Sequence, residues 1–158
     1  LRLFAGDFEH IHSFISNNYW KYDVEDNAYA LMRTSNGVVA LLHSSATLWR
    51  HNFNLHISLE KGSITLSGIL SSTKSYGSEK MTMAYRSDDE NGDPKEITTR
   101  YNHDPSWEIE VNEFSDAIIK NLPIKSGDSN QALKTMELVF NIYCADSEWK
   151  KTYNLSSK

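Results

Sequence analysis

Apolar and polar residues alternate strictly in NFNLHISLEKGSITLSGIL: Phe53, Leu55, Ile57 and Leu59 interleave with Asn54, His56, Ser58 and Glu60. A period of two puts one set on each face of a strand. Lys61-Gly62 interrupts the pattern and Ile64 and Leu66 resume it, which predicts a hairpin. Upstream, DNAYALMRTSNGVVALLHSSATLW sets two apolar, β-prone runs around Ser35-Asn36-Gly37, where Asn-Gly supplies the two positive φ angles of a tight hairpin turn. A third pair of runs, EKMTMAYRS and KEITTRY, brackets DDENGDP, whose acids, Gly and Pro read as an exposed turn. The segment FEHIHSFISNN fits helix or strand; the shared parity of Phe8, His10, His12 and Phe14 favours strand.

Beyond Tyr101 the period changes. In DPSWEIEVNEFSDAIIKNLP, Asp104 can cap, Pro105 suits the first helical position, and Trp107, Val111, Phe114 and Ile118 share one helical face before Leu122-Pro123 stops it. In SGDSNQALKTMELVFNIYCADSEWK, Asp128 and Gln131 form a capping-box-like start, followed by a stripe of Ala132, Met136, Val139 and Tyr143. Trp107 and Trp149 are expected in the core. At the other end, Leu1 to Ala5 read as the last turn of an amphipathic helix closed by Gly6, which leads us to expect a longer helix and further chain upstream. The tail KTYNLSSK is expected to be frayed or a short strand.

This order predicts an α+β fold: a large, mostly antiparallel, open-faced β-sheet with helices packed on one face, in a single domain spanning 1–158. From Ala28 to Met32 and from Val38 to Leu42 both parities are apolar, so both faces are expected to be covered. Two helices can cover one face. The other is expected to meet a second domain or another subunit.

Composition narrows the function. The chain has 158 residues, 39% hydrophobic and 23% charged, ordinary globular values. A net charge of -5 with scattered basic residues argues against nucleic acid as a partner. No run is long enough to cross a membrane and no secretory signal is visible, so the Asn154-Leu155-Ser156 triplet is discounted as a glycosylation site. The lone Cys144 excludes an internal disulfide, and a cytoplasmic location is expected. The glycines never approach Gly-x-Gly-x-x-Gly spacing, so no dinucleotide motif is present. His10, His12, His43, His51, His56 and His103 lack recognisable ligand spacing, and no metal site is expected.

The most unusual stretch is SSATLWRHNF, where Trp49, Arg50 and His51 set an aromatic platform beside two hydrogen-bonding side chains between two hairpins. Arg can fork two oxygens and Trp can stack on a ring, which suits a polyhydroxylated or carboxylated small molecule. A packed Trp beside a surface Arg and His is the other reading. In STKSYGSE, Lys74 and Tyr76 either reach a pocket or belong to a solvated turn.

The run DNAYALMRTSNGVVALLHSSATLWRHNFNLHISLEKGSITLSG, with SWEIEVNEFSDAIIKNLPIKSGDSNQALKTMELVFNIYCADSEW, resembles the C-terminal domain of the glucose-fructose oxidoreductase / inositol dehydrogenase (Gfo/Idh/MocA) family. The likeness lies in the order of parts: an acid-led strand, an Asn-Gly hairpin, a Ser/Thr-rich strand ending in Trp, a strand-Lys-Gly-strand hairpin, a Phe-x-x-x-Ile helix and an Ala-Leu-x-x-Met-x-x-Val helix. It implies a parent enzyme that transfers hydride between a sugar, inositol or related polyol and NAD or NADP, the cofactor held by an upstream Rossmann domain. Leu1 to Gly6 then look like the end of the helix that precedes the family's sheet. The resemblance implies that no catalytic residue and no bound cofactor belong to this chain alone. It implies a substrate-side role for Trp49, Arg50, His51, Lys74 and Tyr76, and a homo-oligomer built through the open sheet face. A stand-alone α+β binding or interaction module without catalysis is the rival reading.

Overall fold

The computed structural model describes residues 1–87, 94–125 and 127–156. In chain order the elements are α1 (Arg2–Ala5), β1 (Phe8–Ser16), β2 (Asn27–Thr34), β3 (Val39–Ser45), β4 (Asn54–Leu59), β5 (Gly62–Ser67), β6 (Glu79–Tyr85), β7 (Lys95–Tyr101), α2 (Ser106–Ile119), α3 (Ser129–Ala145) and α4 (Ser147–Thr152). The fold is α+β and every strand pair is antiparallel, as the sequence predicts. The strands fall into two hydrogen-bonded sheets, β1-β2-β3 and β4-β5-β6-β7, on either side of the irregular segment 46–53. Contacts group accordingly into two compact units, Leu1–Thr47 with Pro123–Lys158, and Leu48–Leu122.

In the first unit, FEHIHSFIS is a strand, and alternation decides which side faces the core. Ala28, Ala30, Met32 and Thr34 of β2 are buried, beside Ile11, Ser13 and Ile15 of β1 and Ala40 and Leu42 of β3. Leu138 and Ile142 of α3 pack against Ala30 and Met32. The Ser13 hydroxyl donates to the Ile142 carbonyl near the end of α3, where helical carbonyls lack partners. The stripe that meets the sheet is therefore Leu138 and Ile142; Met136 of the expected stripe is exposed. Apolar residues spread around α3, including Leu133 and Phe140, so periodicity alone does not single out one side. Of the turn residues only Gly37 has a positive φ, 89°. The Gly37 amide donates to the Thr34 carbonyl, so a three-residue connection with glycine in the left-handed position replaces the expected two-residue turn.

On the opposite face of this sheet, Phe14, Tyr29 and His43 form one cross-strand row and His12, Leu31 and Leu41 the next. All six are exposed.

Helix α1 ends as its letters suggest: Gly6 adopts φ 84° and its amide donates to the Arg2 carbonyl. Arg2 then ties this turn to α3, donating to the Gln131 carbonyl and side chain, to the Thr135 hydroxyl and to Asp7. Lys134 pairs with the other Asp7 oxygen at 2.7 Å. The hydrogen bonds from Lys134 first, and Arg2 second, hold the Asp7 carboxyl below the usual carboxylate range. A depressed pKa means the contact contributes fully above the unfolded carboxylate pKa and is lost as pH falls through the lower folded value. Melting temperature followed from about pH 5 down to about pH 2 should therefore fall further in the wild type than in Asp7→Asn. Identical profiles would show that the cluster adds no net stability.

The second unit is a four-stranded meander in which the hairpin expected at Lys61-Gly62 forms with its turn one residue earlier, at Glu60-Lys61, and Gly62 opens β5 opposite Leu59. The runs on either side of DDENGDP pair as β6 and β7; the turn expected there falls on residues 88–93, outside the described residues. Helix α2 starts one residue later than expected: Pro105 is its N-cap rather than its first residue, and the Asp104 carboxylate just ahead of it accepts from the Ser106 amide at 2.9 Å. Its apolar stripe, however, is exposed, and Trp107 is 77% accessible rather than a core residue. Trp149, by contrast, is half-buried in the first unit and packs on Tyr153 with ring centroids 4.4 Å apart.

Candidate functional site

Strand directions in a meander bring distant residues to one end of the sheet. Phe53 precedes β4, Ser67 closes β5, Glu79 opens β6, Tyr101 closes β7, and Asp104 leads into α2. Between them lies a half-open groove of about 320 Å³, walled by Phe53, Leu66 and Tyr101 and edged by Glu79, Lys80 and Asp104. Gly68 makes this end close: its φ is 72°, its amide donates to the Phe53 carbonyl, and a Cβ there would lie 2.3 Å from the Ser78 carbonyl oxygen. Glu79 is fixed by accepting the Leu70 amide through Oε2 at 2.8 Å. The Ser106 hydroxyl and amide, in that order, hold the Asp104 carboxyl below the usual carboxylate range, and His103 adds to the effect. Apolar walls with two carboxylates and an ammonium at the rim suit a small molecule that offers C–H faces and hydroxyl donors.

The five residues singled out from the sequence sit on the two segments leading to this end. Trp49 is fully exposed, and Arg50, His51 and Lys74 are exposed as well. Tyr76 is half-buried, and the structure brings His51 onto it, the rings stacked with centroids 5.0 Å apart. Lys74 sits at φ 53° in a turn where the Gly77 amide donates to its carbonyl. None of the five lines the groove. Sequence reasoning missed Glu79, Lys80 and Tyr101 and took Asp104 as a cap alone. The available signal was charged and phenolic residues clustered where strand alternation gives way to a turn.

Among the described residues, no group of three or more His, Cys, Asp or Glu is placed to hold a metal ion. His43 stacks on Tyr29 at 4.3 Å, and His56 shares a hydrogen bond with Thr65. No described helix is long and apolar enough to cross a membrane. A dinucleotide cradle needs a glycine-rich turn between a parallel strand and a helix. The glycine spacing and the antiparallel pairing of the described strands do not fit one.

Residues 1–65 match the model of the GFO/IDH/MocA C-terminal domain. Over those residues the chain is similar to that domain. Solved structures carry the likeness further as a shared fold. A proposed NADPH-dependent oxidoreductase from Desulfitobacterium hafniense aligns with a TM-score of 0.73 at 13% identity, over 91% of this chain and 41% of that one. A proposed oxidoreductase from Yersinia pestis aligns with a TM-score of 0.65 at 15% identity, over 93% of this chain and 44% of the other. The chain thus spans less than half the length of either. No curated protein matches the sequence.

Proposed function

We propose that this domain forms the substrate side of an NAD(P)-dependent oxidoreductase acting on a sugar, an inositol or a related polyol. The family match through residues 1–65 carries the reading, supported by a fold shared with two proposed oxidoreductases. The residues here offer no dinucleotide cradle, so the proposal assigns NAD or NADP to a Rossmann domain joined to this one. When bound there, the cofactor supplies the hydride acceptor. This chain's share is to hold the substrate's far end, with the Phe53–Tyr101 groove, Glu79 and Asp104 as hydroxyl acceptors, and Arg50 and His51, on the segment before Phe53, meeting the part of the substrate outside the groove. The outward rows of β1, β2 and β3, apolar and exposed, serve in the proposal as the contact between subunits.

Steady-state kinetics of the intact protein carrying this domain test the reading. With its best polyol substrate, Arg50→Ala and Glu79→Gln should each raise KM about tenfold with kcat little changed, the pattern of lost uniform binding. Wild-type KM in both variants would remove this domain from the substrate site. Leu41→Asp should convert the oligomer to monomers in sedimentation, and an unchanged sedimentation coefficient would overturn the subunit contact.

A further inference from the structure

The loop between β1 and β2, residues 17–26, spends a buried carboxylate on its own backbone. Asp26 is 4% exposed; its Oδ2 accepts from the Tyr19 amide at 2.7 Å and the Trp20 amide at 3.3 Å. Its Oδ1 accepts from the Ser16 hydroxyl and the Asn27 side chain. Asn17 adds a second clip, donating through Nδ2 to the Tyr22 carbonyl and the Tyr153 hydroxyl, and its own carbonyl accepts from the Lys21 amide. Lys21 is thereby held at φ 56°, a conformation unfavourable for a side-chain-bearing residue.

What this fixed backbone presents is aromatic. Tyr19 is 70% exposed, Trp20 49% and Tyr22 65%. Trp20 stands edge-on to Tyr19 with centroids 4.9 Å apart and lies within 4° of parallel to Tyr22 at 6.3 Å. Exposed Lys21 and Asp23 alternate with the rings. Three rings that are already partly covered offer about 400 Å² at most, against about 800 Å² per partner in a stable protein interface. The patch is therefore of small-ligand size. Flat π faces attract the C–H face of a ring, and a neighbouring ammonium and carboxylate can meet hydroxyls at its edge.

We propose that residues 19–23 form a stacking site for a pyranose ring, with Trp20 and Tyr22 as the platform and Lys21 and Asp23 as hydroxyl partners. The site shares no residue with the groove at the β4–β7 sheet end and does not rest on the function proposed above.

Titration of the 15N-labelled protein with methyl β-D-glucopyranoside and with cellotriose, followed through the tryptophan indole N–H signals, tests it. The Trp20 signal should shift saturably with a Kd of order millimolar, and more tightly for the trisaccharide. The exposed Trp107 indole serves as internal control and should not follow. Tyr22→Ala should weaken binding about threefold to tenfold, and Trp20→Ala should leave no saturable change anywhere in loop 17–26. Both side chains are exposed, so amide spectra elsewhere should stay unchanged. No saturable shift up to about 50 mM, equal shifts at all exposed indoles, or full binding by Trp20→Ala would each overturn the proposal. So would protein-concentration-dependent broadening of the Trp20 signal that sugar does not relieve, which would mark the patch as a protein contact.

Discussion

Gly62→Ala should be the most damaging substitution among the described glycines, costing about 3–4 kcal/mol and lowering the melting temperature by about 10 °C or more. The turn from β4 into β5 brings Gly62 so close to β6 that a Cβ would sit 2.0 Å from the Ala84 carbonyl oxygen and 3.3 Å from the Tyr85 Cα. Both obstacles are backbone. Relief requires separating β5 from β6 at the Gly62–Tyr85 pair, where the Arg86 amide also donates to the Lys61 carbonyl. Gly37→Ala provides the control. Gly37 has φ 89°, but a Cβ there meets nothing within 4 Å, so only backbone strain of about 1 kcal/mol is incurred. Thermal denaturation of the two variants measures the difference, and amide exchange at Ser63–Thr65 should accelerate in Gly62→Ala alone. Equal losses would show that the close approach is not a real constraint.

The same contrast explains what could be read from the letters. Alternation in NFNLHISLE and ITLSG dictates strands, and Glu60-Lys61, just ahead of Gly62, is where they reverse. The sequence does not show that Gly62 is required by a third strand more than twenty residues later. In β2 the alternation of Ala28, Ala30 and Met32 with Tyr29, Leu31 and Arg33 is visible, yet both sets contain apolar residues. Which set faces α3 depends on long-range partners: Ser13 with Ile142, and Arg2 with Gln131 and Thr135. The misread stripe on α3 has the same origin, since a helix apolar on several sides takes its orientation from polar anchors at its ends.

The candidate site was less legible than the fold. A groove at the end of a meander collects residues that neighbour one another only after four strands have paired, as Phe53 and Asp104 do. Local composition highlighted Trp49 to His51 because three large polar or aromatic letters stand together. It passed over Glu79 and Tyr101, which stand alone in the sequence. The Tyr19-Trp20-Lys21-Tyr22 run was equally dense in aromatics. Its significance emerges only with the buried Asp26 beneath it.

Asp146→Ala should cost about 3 kcal/mol, because one buried side chain closes three backbone gaps at a junction of three elements. Its Oδ1 accepts from the Glu148 and Trp149 amides at 3.0 and 2.9 Å, capping α4, while its Oδ2 accepts from the Ile15 amide of β1 at 2.7 Å. Among the described strands β1 lies at the sheet edge beside β2, so Asp146 supplies an acceptor that no described strand offers there. Alanine leaves three donors without this partner, one of them in a half-buried strand. Asparagine keeps a single acceptor oxygen and turns an N–H₂ toward a donor at either end, so Asp146→Asn should fall between alanine and wild type. Asp128→Ala removes one exposed cap bond, to Gln131 at 2.9 Å, and should cost about 1 kcal/mol. Denaturant midpoints of the three variants give the ranking. Near-ultraviolet dichroism should weaken in Asp146→Ala as α4 loosens and Trp149 loses its fixed stacking on Tyr153. If Asp146→Ala proves no worse than Asp128→Ala, the Ile15 bond contributes nothing to stability.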